Sequence, residues 1–179
     1  LKLLQKLKLF MKKINKMDRL WSPWRMEYIR NKEDKEGECV FCLKSKQKND
    51  RDNLVLYRGP TSFILMNLYP YNNGHIMVCP YNHIETTKSL SNESMKEIMM
   101  LADKSMDIFR ETMDAQGFNF GANIGISGGA GIADHIHFHV VPRWVGDTNF
   151  MPVLGHTKVM VDELTNTYDK LKIEFNKLK

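Results

Sequence analysis

Short apolar runs separated by turn-forming residues dominate the first half of the chain. The runs occupy Asn53–Arg58, Ser62–Asn67 and His75–Cys79, with turns at Arg58–Pro60 and Pro70–Gly74 between them. Runs of this length, rich in Val, Ile, Phe and Tyr and bounded by Gly, Pro and Asn, are typical of antiparallel strands joined in hairpins. We therefore predict three strands here.

The periodicity of apolar residues then changes to that of a helix. They recur at spacings of three, four and seven at Met95, Ile98, Met99, Ala102, Met106, Phe109 and Met113. This pattern predicts a long α-helix, with Ser91 or Asn92 as its cap and Gly117 as its stop.

Two more apolar runs and a second helical pattern follow. Gly117–Asn123 and His135–Val141 are predicted strands, and residues of about 160–178 are a predicted closing helix. Strands, one long helix and further strands favour an α+β fold with an antiparallel sheet.

Composition and charge restrict the class of protein. The chain has 179 residues, of which 42% are hydrophobic and 26% charged, which is typical of one globular domain. It lacks the long apolar segment of an integral membrane protein. Three cysteines are too few for a disulfide framework, which favours a reducing, cytoplasmic location.

The net charge of +5 is concentrated at one end. Residues 1–16 carry six lysines and no acid, which leaves 20 basic against 21 acidic residues, a net charge of −1, in residues 17–179. Nucleic-acid binding is therefore not expected. We interpret residues 1–16 as a basic tail or upstream extension and residues 17–179 as a single domain. The alternative for the tail is a basic amphipathic helix that touches a membrane or an anionic partner.

Three of the six histidines lie in one heptapeptide, at His135, His137 and His139. Side chains two apart on a strand share a face, so we expect the three imidazoles on one face and Ile136, Phe138 and Val140 in the core. Four glycines in the loop 125–131 directly upstream predict an anion-binding backbone. Together these features favour a nucleophile beside a phosphate site.

The pair Cys39 and Cys42 allows two interpretations. A thioredoxin-like redox motif needs a βαβ context, which the surrounding pattern does not indicate. Half of a zinc site needs two further ligands. Cys79, in an apolar run, is interpreted as a core residue.

The segment HIHFHVVPR, residues 135–143, resembles the motif of the histidine triad (HIT) family. Phe63–Pro70 and Gly74–Pro80 resemble that family's nucleoside-binding strands, so the likeness covers residues of about 38–145. Leu20–Met26 and Arg143–Met151 resemble the bacterial and archaeal branch that includes diadenosine tetraphosphate phosphorylases. The resemblance implies a five-stranded antiparallel sheet with a long helix across one face, and a homodimer.

The resemblance also implies a role for each matching residue. His137 would be the nucleophile that forms a nucleotidyl-histidine intermediate, His139 would contact phosphate, and His75 would orient the triad. The implied nucleotide and phosphate ligands are Asn67, Asn123, Gly129, Ala130, Gly131 and Trp144. For Trp144, packing is an equal alternative. Relatives that hydrolyse nucleotides carry a polar residue where this chain has Gly131-Ile132-Ala133, which leaves the acceptor, water or phosphate, open.

The resemblance supplies the missing metal ligands as well. In zinc-bearing relatives the positions of His83 and His135 complete the site that Cys39 and Cys42 begin. Such a site would be a closed, structural Zn²⁺ centre.

The function implied is hydrolysis of, or nucleotidyl transfer from, diadenosine polyphosphates or related purine nucleotides, for example by a diadenosine tetraphosphate phosphorylase. One alternative is a purine nucleoside phosphoramidase. The other is a non-catalytic, zinc-stabilised nucleotide-binding module.

Overall fold

The computed structural model describes residues 39–148, 160 and 162–178. The basic tail at residues 1–16, the segment resembling the phosphorylase branch at Leu20–Met26, and the end of the segment Arg143–Met151 lie outside the described residues.

Five strands form one antiparallel sheet in the order β1-β2-β3-β5-β4. The elements are α1 (Val40–Lys46), β1 (Val55–Arg58), β2 (Ser62–Met66), β3 (Ile76–Pro80), α2 (Asn92–Met113), β4 (Gly117–Gly121), β5 (Phe138–Arg143) and α3 (Leu164–Phe175), with short 3₁₀ turns at Thr87–Ser89 and Ile126–Gly128. The predicted α+β fold, with five antiparallel strands, a long helix and a C-terminal helix, is confirmed.

Strand alternation gives the sheet two faces with different coverings. On one face the main apolar core joins strand residues such as Ile64, Ile76 and Val140 to residues of α2 and α3. A smaller apolar cluster contains Phe41, Val55, Phe63, Leu65, Met77 and Cys79. Met77 pairs with His139 across β3 and β5, and cross-strand partners share a face. The smaller cluster therefore lies on the histidine face.

The long helix α2 begins as predicted and ends earlier than predicted. The Ser91 side chain accepts a hydrogen bond from the Ser94 backbone N–H at 3.1 Å, which caps the first turn. The helix stops at Asp114, whose φ of +50° is left-handed, and Gly117 instead opens β4. The prediction of Gly117 as the stop was wrong.

Strand β5 starts three residues later than predicted, at Phe138 instead of His135. Two contacts explain this. The Ile136 backbone N–H donates to the Ile84 carbonyl at 2.6 Å, and the Pro80 carbonyl lies 2.9 Å from Nε2 of His135. These groups are therefore unavailable for extending the β3–β5 ladder. Likewise β4 ends at Gly121, two residues before the predicted end.

The C-terminal helix α3 is also shorter than the pattern suggested, covering Leu164–Phe175. Its buried residues Tyr168, Leu171 and Phe175 belong to the main core. The Tyr168 hydroxyl donates to the Val55 carbonyl at 3.0 Å, which fixes α3 to β1. None of the described helices combines the length and the apolar character that crossing a bilayer requires.

Candidate active site

The triad histidines are nearly inaccessible to solvent. His135 is 0% exposed, His137 4% and His139 9%. As the alternation predicted, Ile136, Phe138 and Val140 belong to the main core. The rings of His137 and His139 lie 4.9 Å apart between centroids, so the two imidazoles can act on one bound group.

A backbone carbonyl determines the tautomer of His137. Nδ1 of His137 lies 2.9 Å from the carbonyl oxygen of His135. Because a carbonyl can only accept, the proton of neutral His137 is on Nδ1, and Nε2 keeps its lone pair. This is the state that a nucleophilic imidazole requires.

His75 and His139 form a second oriented pair. The Tyr71 backbone N–H donates to Nδ1 of His75 at 3.0 Å. Nε2 of His75 then carries the proton, and it lies 2.9 Å from Nδ1 of His139. His139 therefore accepts on Nδ1 and carries its own proton on Nε2. The prediction that His75 lies beside the triad agrees with this contact.

Two cysteines and two histidines come together on the other side of His137. Sγ of Cys39 lies 3.4 Å from Nδ1 of His135, and Sγ of Cys42 lies 3.6 Å from the same nitrogen and 3.4 Å from Nδ1 of His83. All four candidate ligand atoms lie within 4.8 Å of one another. A tetrahedral zinc with ordinary bond lengths would separate S and N ligands by about 3.5 Å. The donor set therefore fits zinc.

The ring of His135 is oriented for such a site. Its Nε2–H donates to the Pro80 carbonyl, which leaves Nδ1 with a lone pair toward the two sulfurs. Burial lowers the pKa of His135, with the Pro80 hydrogen bond opposing this shift and the neighbouring His83 and His137 adding to it. Neutral His135 is the form that binds a metal.

Comparison with known proteins agrees with this geometry. The family model of the HIT domain matches residues 48–145. The chain belongs to the HIT domain family. An AP-4-A phosphorylase of Mycobacterium tuberculosis is 35% identical to it over 167 residues, which cover 90% of this chain and 86% of that protein.

Two further HIT relatives are informative. A bis(5'-adenosyl)-triphosphatase of Dictyostelium discoideum is 28% identical over 93 residues, 52% of this chain and 62% of that protein. The crystal structure of a zinc-bound histidine triad family protein from Mycobacterium smegmatis gives a TM-score of 0.62 at 21% identity, covering 78% of this chain and 94% of that one. The predicted family and fold are thus confirmed, and the predicted enzyme class agrees with both named enzymes.

The predicted nucleotide ligands of this HIT domain have different surroundings. Asn67 lies beside the histidines, with Nδ2 3.4 Å from Nδ1 of His75. Asn123 and Gly131 lie in the β4–β5 loop. The N–H groups of Gly129 and Ala130 donate inside that loop, to Ile126 and Gly125. Binding of phosphate by those two groups stays a prediction, and it requires the loop to release them.

Trp144 packs against the main core. Its indole N–H donates to the Met113 carbonyl at 2.9 Å, at the end of α2. This contact favours the packing interpretation, and the role of Trp144 in nucleotide binding stays a prediction.

Sequence reasoning missed two aromatic neighbours of the histidines. The Phe41 ring lies 5.3 Å from that of His135 and 4.8 Å from that of His137. The Tyr71 ring lies 4.6 Å from that of His75. Phe41 was detectable as the apolar residue between two predicted ligands, whereas Tyr71 had only the signal of a turn residue.

Proposed function

We propose that the protein is a nucleotide hydrolase or nucleotidyltransferase of the HIT family that acts on diadenosine polyphosphates through a covalent bond to His137. The observation that carries this proposal is the tautomer of His137. Its Nδ1–H donates to the His135 carbonyl, so the lone pair is on Nε2, the nitrogen that would attack phosphorus. The M. tuberculosis relative named AP-4-A phosphorylase supports the substrate class.

The proposed reaction has two steps. Nε2 of His137 attacks the α-phosphorus of diadenosine tetraphosphate, the bond from that phosphorus to its bridging oxygen breaks, and ATP leaves with the bridging electron pair. Phosphate or water then attacks the adenylyl-histidine, which releases ADP or AMP and restores the imidazole. Nδ1 of His137 keeps its hydrogen bond to the His135 carbonyl throughout.

The second imidazole supplies a donor for this reaction. Nδ1 of His139 accepts from His75, so the Nε2–H of His139 is the group that meets phosphoryl or leaving-group oxygen. A donor positioned before the reaction stabilises the charge that develops on these oxygens. The ring of His137 is adjacent, so one phosphoryl group can contact both rings.

Incubation with diadenosine tetraphosphate, with and without inorganic phosphate, tests the proposal. Separation of the nucleotides distinguishes a phosphorylase (ADP and ATP, only with phosphate) from a hydrolase (AMP and ATP without it). We expect His137→Ala to lose turnover by at least about 10³-fold while the protein stays folded. We also expect an adenylyl adduct, seen as a mass increase of the intact protein, in the wild type alone.

Other outcomes identify the alternatives. Turnover confined to adenosine phosphoramidates would indicate a phosphoramidase, and binding of AMP without any turnover would indicate a binding module. Retained activity in His137→Ala would contradict the assigned nucleophile.

We further propose a structural zinc ion bound by Cys39, Cys42, His83 and His135. Supporting this are the S···N separations, the reduced state of both cysteines and the hydrogen bond from His135 to Pro80. The ion would fix α1 against the sheet and, through His135, the carbonyl that orients His137. Cysteine thiols stay reduced in the cytosol, where disulfides are rare, so we propose a cytoplasmic location. The homodimer stays a prediction.

A further inference from the structure

A polar cluster fastens the loop before β3 to the end of β5. The buried side chain of Asn72 donates through Nδ2 to the Pro142 carbonyl at 3.0 Å and to Oδ2 of Asp147 at 2.8 Å. One amide group thus joins Pro142, near the end of β5, to Asp147, four residues after that strand ends. We call Asn72, Asp147 and Arg143 the latch.

Asp147 is held firmly in this arrangement. Its carboxylate accepts from Nε of Arg143 at 2.6 Å, from the second guanidinium nitrogen at 2.9 Å, and from the Trp144 backbone N–H at 3.2 Å. The side chain is only 9% exposed. The Arg143 guanidinium, foremost through its hydrogen bonds, holds the pKa of Asp147 well below its usual range. Asp147 is therefore a charged acceptor for Asn72 at neutral pH.

Asn72 of the latch directly follows Tyr71, the residue whose backbone N–H orients His75. The Asn72 carbonyl accepts from the His75 backbone N–H at 3.2 Å. The next residue back, Tyr71, donates its backbone N–H to Nδ1 of His75 and places its ring 5.7 Å from that of His139. Displacement of Asn72 would therefore displace the N–H that sets the tautomer of His75.

We propose that Asn72 and Asp147 are positioning residues that set His139 as an Nε2–H donor, through Tyr71 and His75. This inference rests on the proposed function. Without the Tyr71 N–H, the longer contact from Nδ2 of Asn67, at 3.4 Å, would favour the Nε2–H tautomer of His75 more weakly. His75 can then carry its proton on Nδ1 and present a lone pair to His139. His139 must then place its own proton on Nδ1 and turn a lone pair toward phosphate. Asp147 lies beyond residues 48–145, so the family model does not include it.

The test uses Asn72→Ala, with Asn119→Ala as its matched control. Asn119 also contacts the latch, since its Oδ1 accepts from Arg143 at 2.8 Å, but its side chain is exposed, whereas that of Asn72 is buried. With diadenosine tetraphosphate, we expect kcat to fall on the order of ten- to a hundredfold in Asn72→Ala, with KM within about threefold. The control should stay within about twofold of the wild type.

Imidazole ¹⁵N chemical shifts provide a readout that a merely structural role would not change. In the wild type at neutral pH we expect His139 in the Nε2–H form, and in Asn72→Ala a mixed or reversed tautomer. If Asn72→Ala does not fold, Asp147→Asn, which keeps an acceptor but removes the charge, is measured in the same way and should change both readouts in the same direction.

Three results decide the proposal. A wild-type tautomer of His139 in folded Asn72→Ala, or in Asp147→Asn where that variant replaces it, would overturn the proposal even if kcat is low. An altered tautomer with unchanged kcat would overturn it as well. A third result separates the two proposals. If the tautomer of His139 changes in the variant but the wild type turns over none of the nucleotides, the role of the latch is supported and the proposed function is contradicted.

Discussion

Each histidine of the site has at least one ring nitrogen with a defined partner. His135 and His137 donate to backbone carbonyls, whereas His75 accepts from a backbone N–H and donates to His139. Backbone groups cannot change their donor or acceptor character, so they fix the tautomers that side-chain partners would leave variable. In the proposed mechanism, chemically identical residues thereby serve as a nucleophile, a donor, an orienting group and a candidate metal ligand.

Gly121 leaves space next to His139. The two residues are partners across β4 and β5 and therefore share a face of the sheet. A Cβ at Gly121 would meet no atom within 4 Å, and its φ is not in the left-handed region. A side chain here would fit the folded protein but occupy space beside the donor imidazole.

We therefore expect Gly121→Val to lower kcat/KM for diadenosine tetraphosphate roughly tenfold or more. Its free energy of unfolding should change by less than about 1 kcal/mol, because valine suits a strand. Steady-state kinetics and urea unfolding measure the two effects. The matched control is Gly117→Val, at the far end of the same strand and opposite Arg143, which should retain its kcat/KM. Equal losses in both variants would show that the space beside His139 is not used by substrate.

At the scale of elements, α1 depends on contacts with the rest of the chain. A helix of seven residues is unstable alone, and Phe41 is its one buried residue. Cys39 is its N-cap residue and Cys42 lies in its first turn, so both candidate sulfur ligands are at the end that meets His83 and His135. Zinc would join α1 to the segment between β3 and α2 and to the start of the triad.

Removal of one ligand tests this connection. We expect Cys42→Ser to reduce bound zinc from about one equivalent to well below half and to lower the unfolding temperature, because metal affinity contributes to folding free energy. Elemental analysis and thermal unfolding, with and without a chelator, measure both. Cys79→Ala is the control, since this buried cysteine is not in the cluster and its loss should leave the zinc content unchanged. Full zinc occupancy in Cys42→Ser would contradict the proposed ligand set.

The elements with regular periodicity could be predicted from sequence, and those fixed by tertiary contacts could not. The spacing from Met95 to Met113 predicted α2, and alternation around His137 predicted which residues face the core. The start of β5 was missed because the bond from Ile136 to Ile84 joins residues 52 positions apart. α1 was missed because seven residues give too little periodicity.

The same limit applies to the site. The spacing of the histidines predicted that they share a face, and the family resemblance named His75 and His83. The tautomers depend on the carbonyl of His135 and the N–H of Tyr71, whose directions no sequence pattern contains.

In the described part of the molecule, the two faces of the sheet carry different groups of residues. The face under α2 and α3 carries the main apolar core, and the other face carries the histidines and the smaller cluster around Phe63. Most of the apolar burial that stabilises the fold therefore lies on the face of the sheet opposite the histidines. Mutations on the face with the main core should change the free energy of unfolding, and mutations on the histidine face should change kcat.

Leu171→Ala tests this separation on the face that carries the main core. Leu171 is fully buried in α3, so its truncation should lower the free energy of unfolding by about 2–5 kcal/mol. The kcat of the folded fraction should stay within about twofold, because β2 and β3 lie between β5 and the strand β1, where α3 is attached at Val55. Ile173→Ala, on the same helix but 62% exposed, should change stability by less than about 0.5 kcal/mol. A large fall of kcat in folded Leu171→Ala would show that the core transmits strain through the sheet to the histidines, and the two faces would then not be independent.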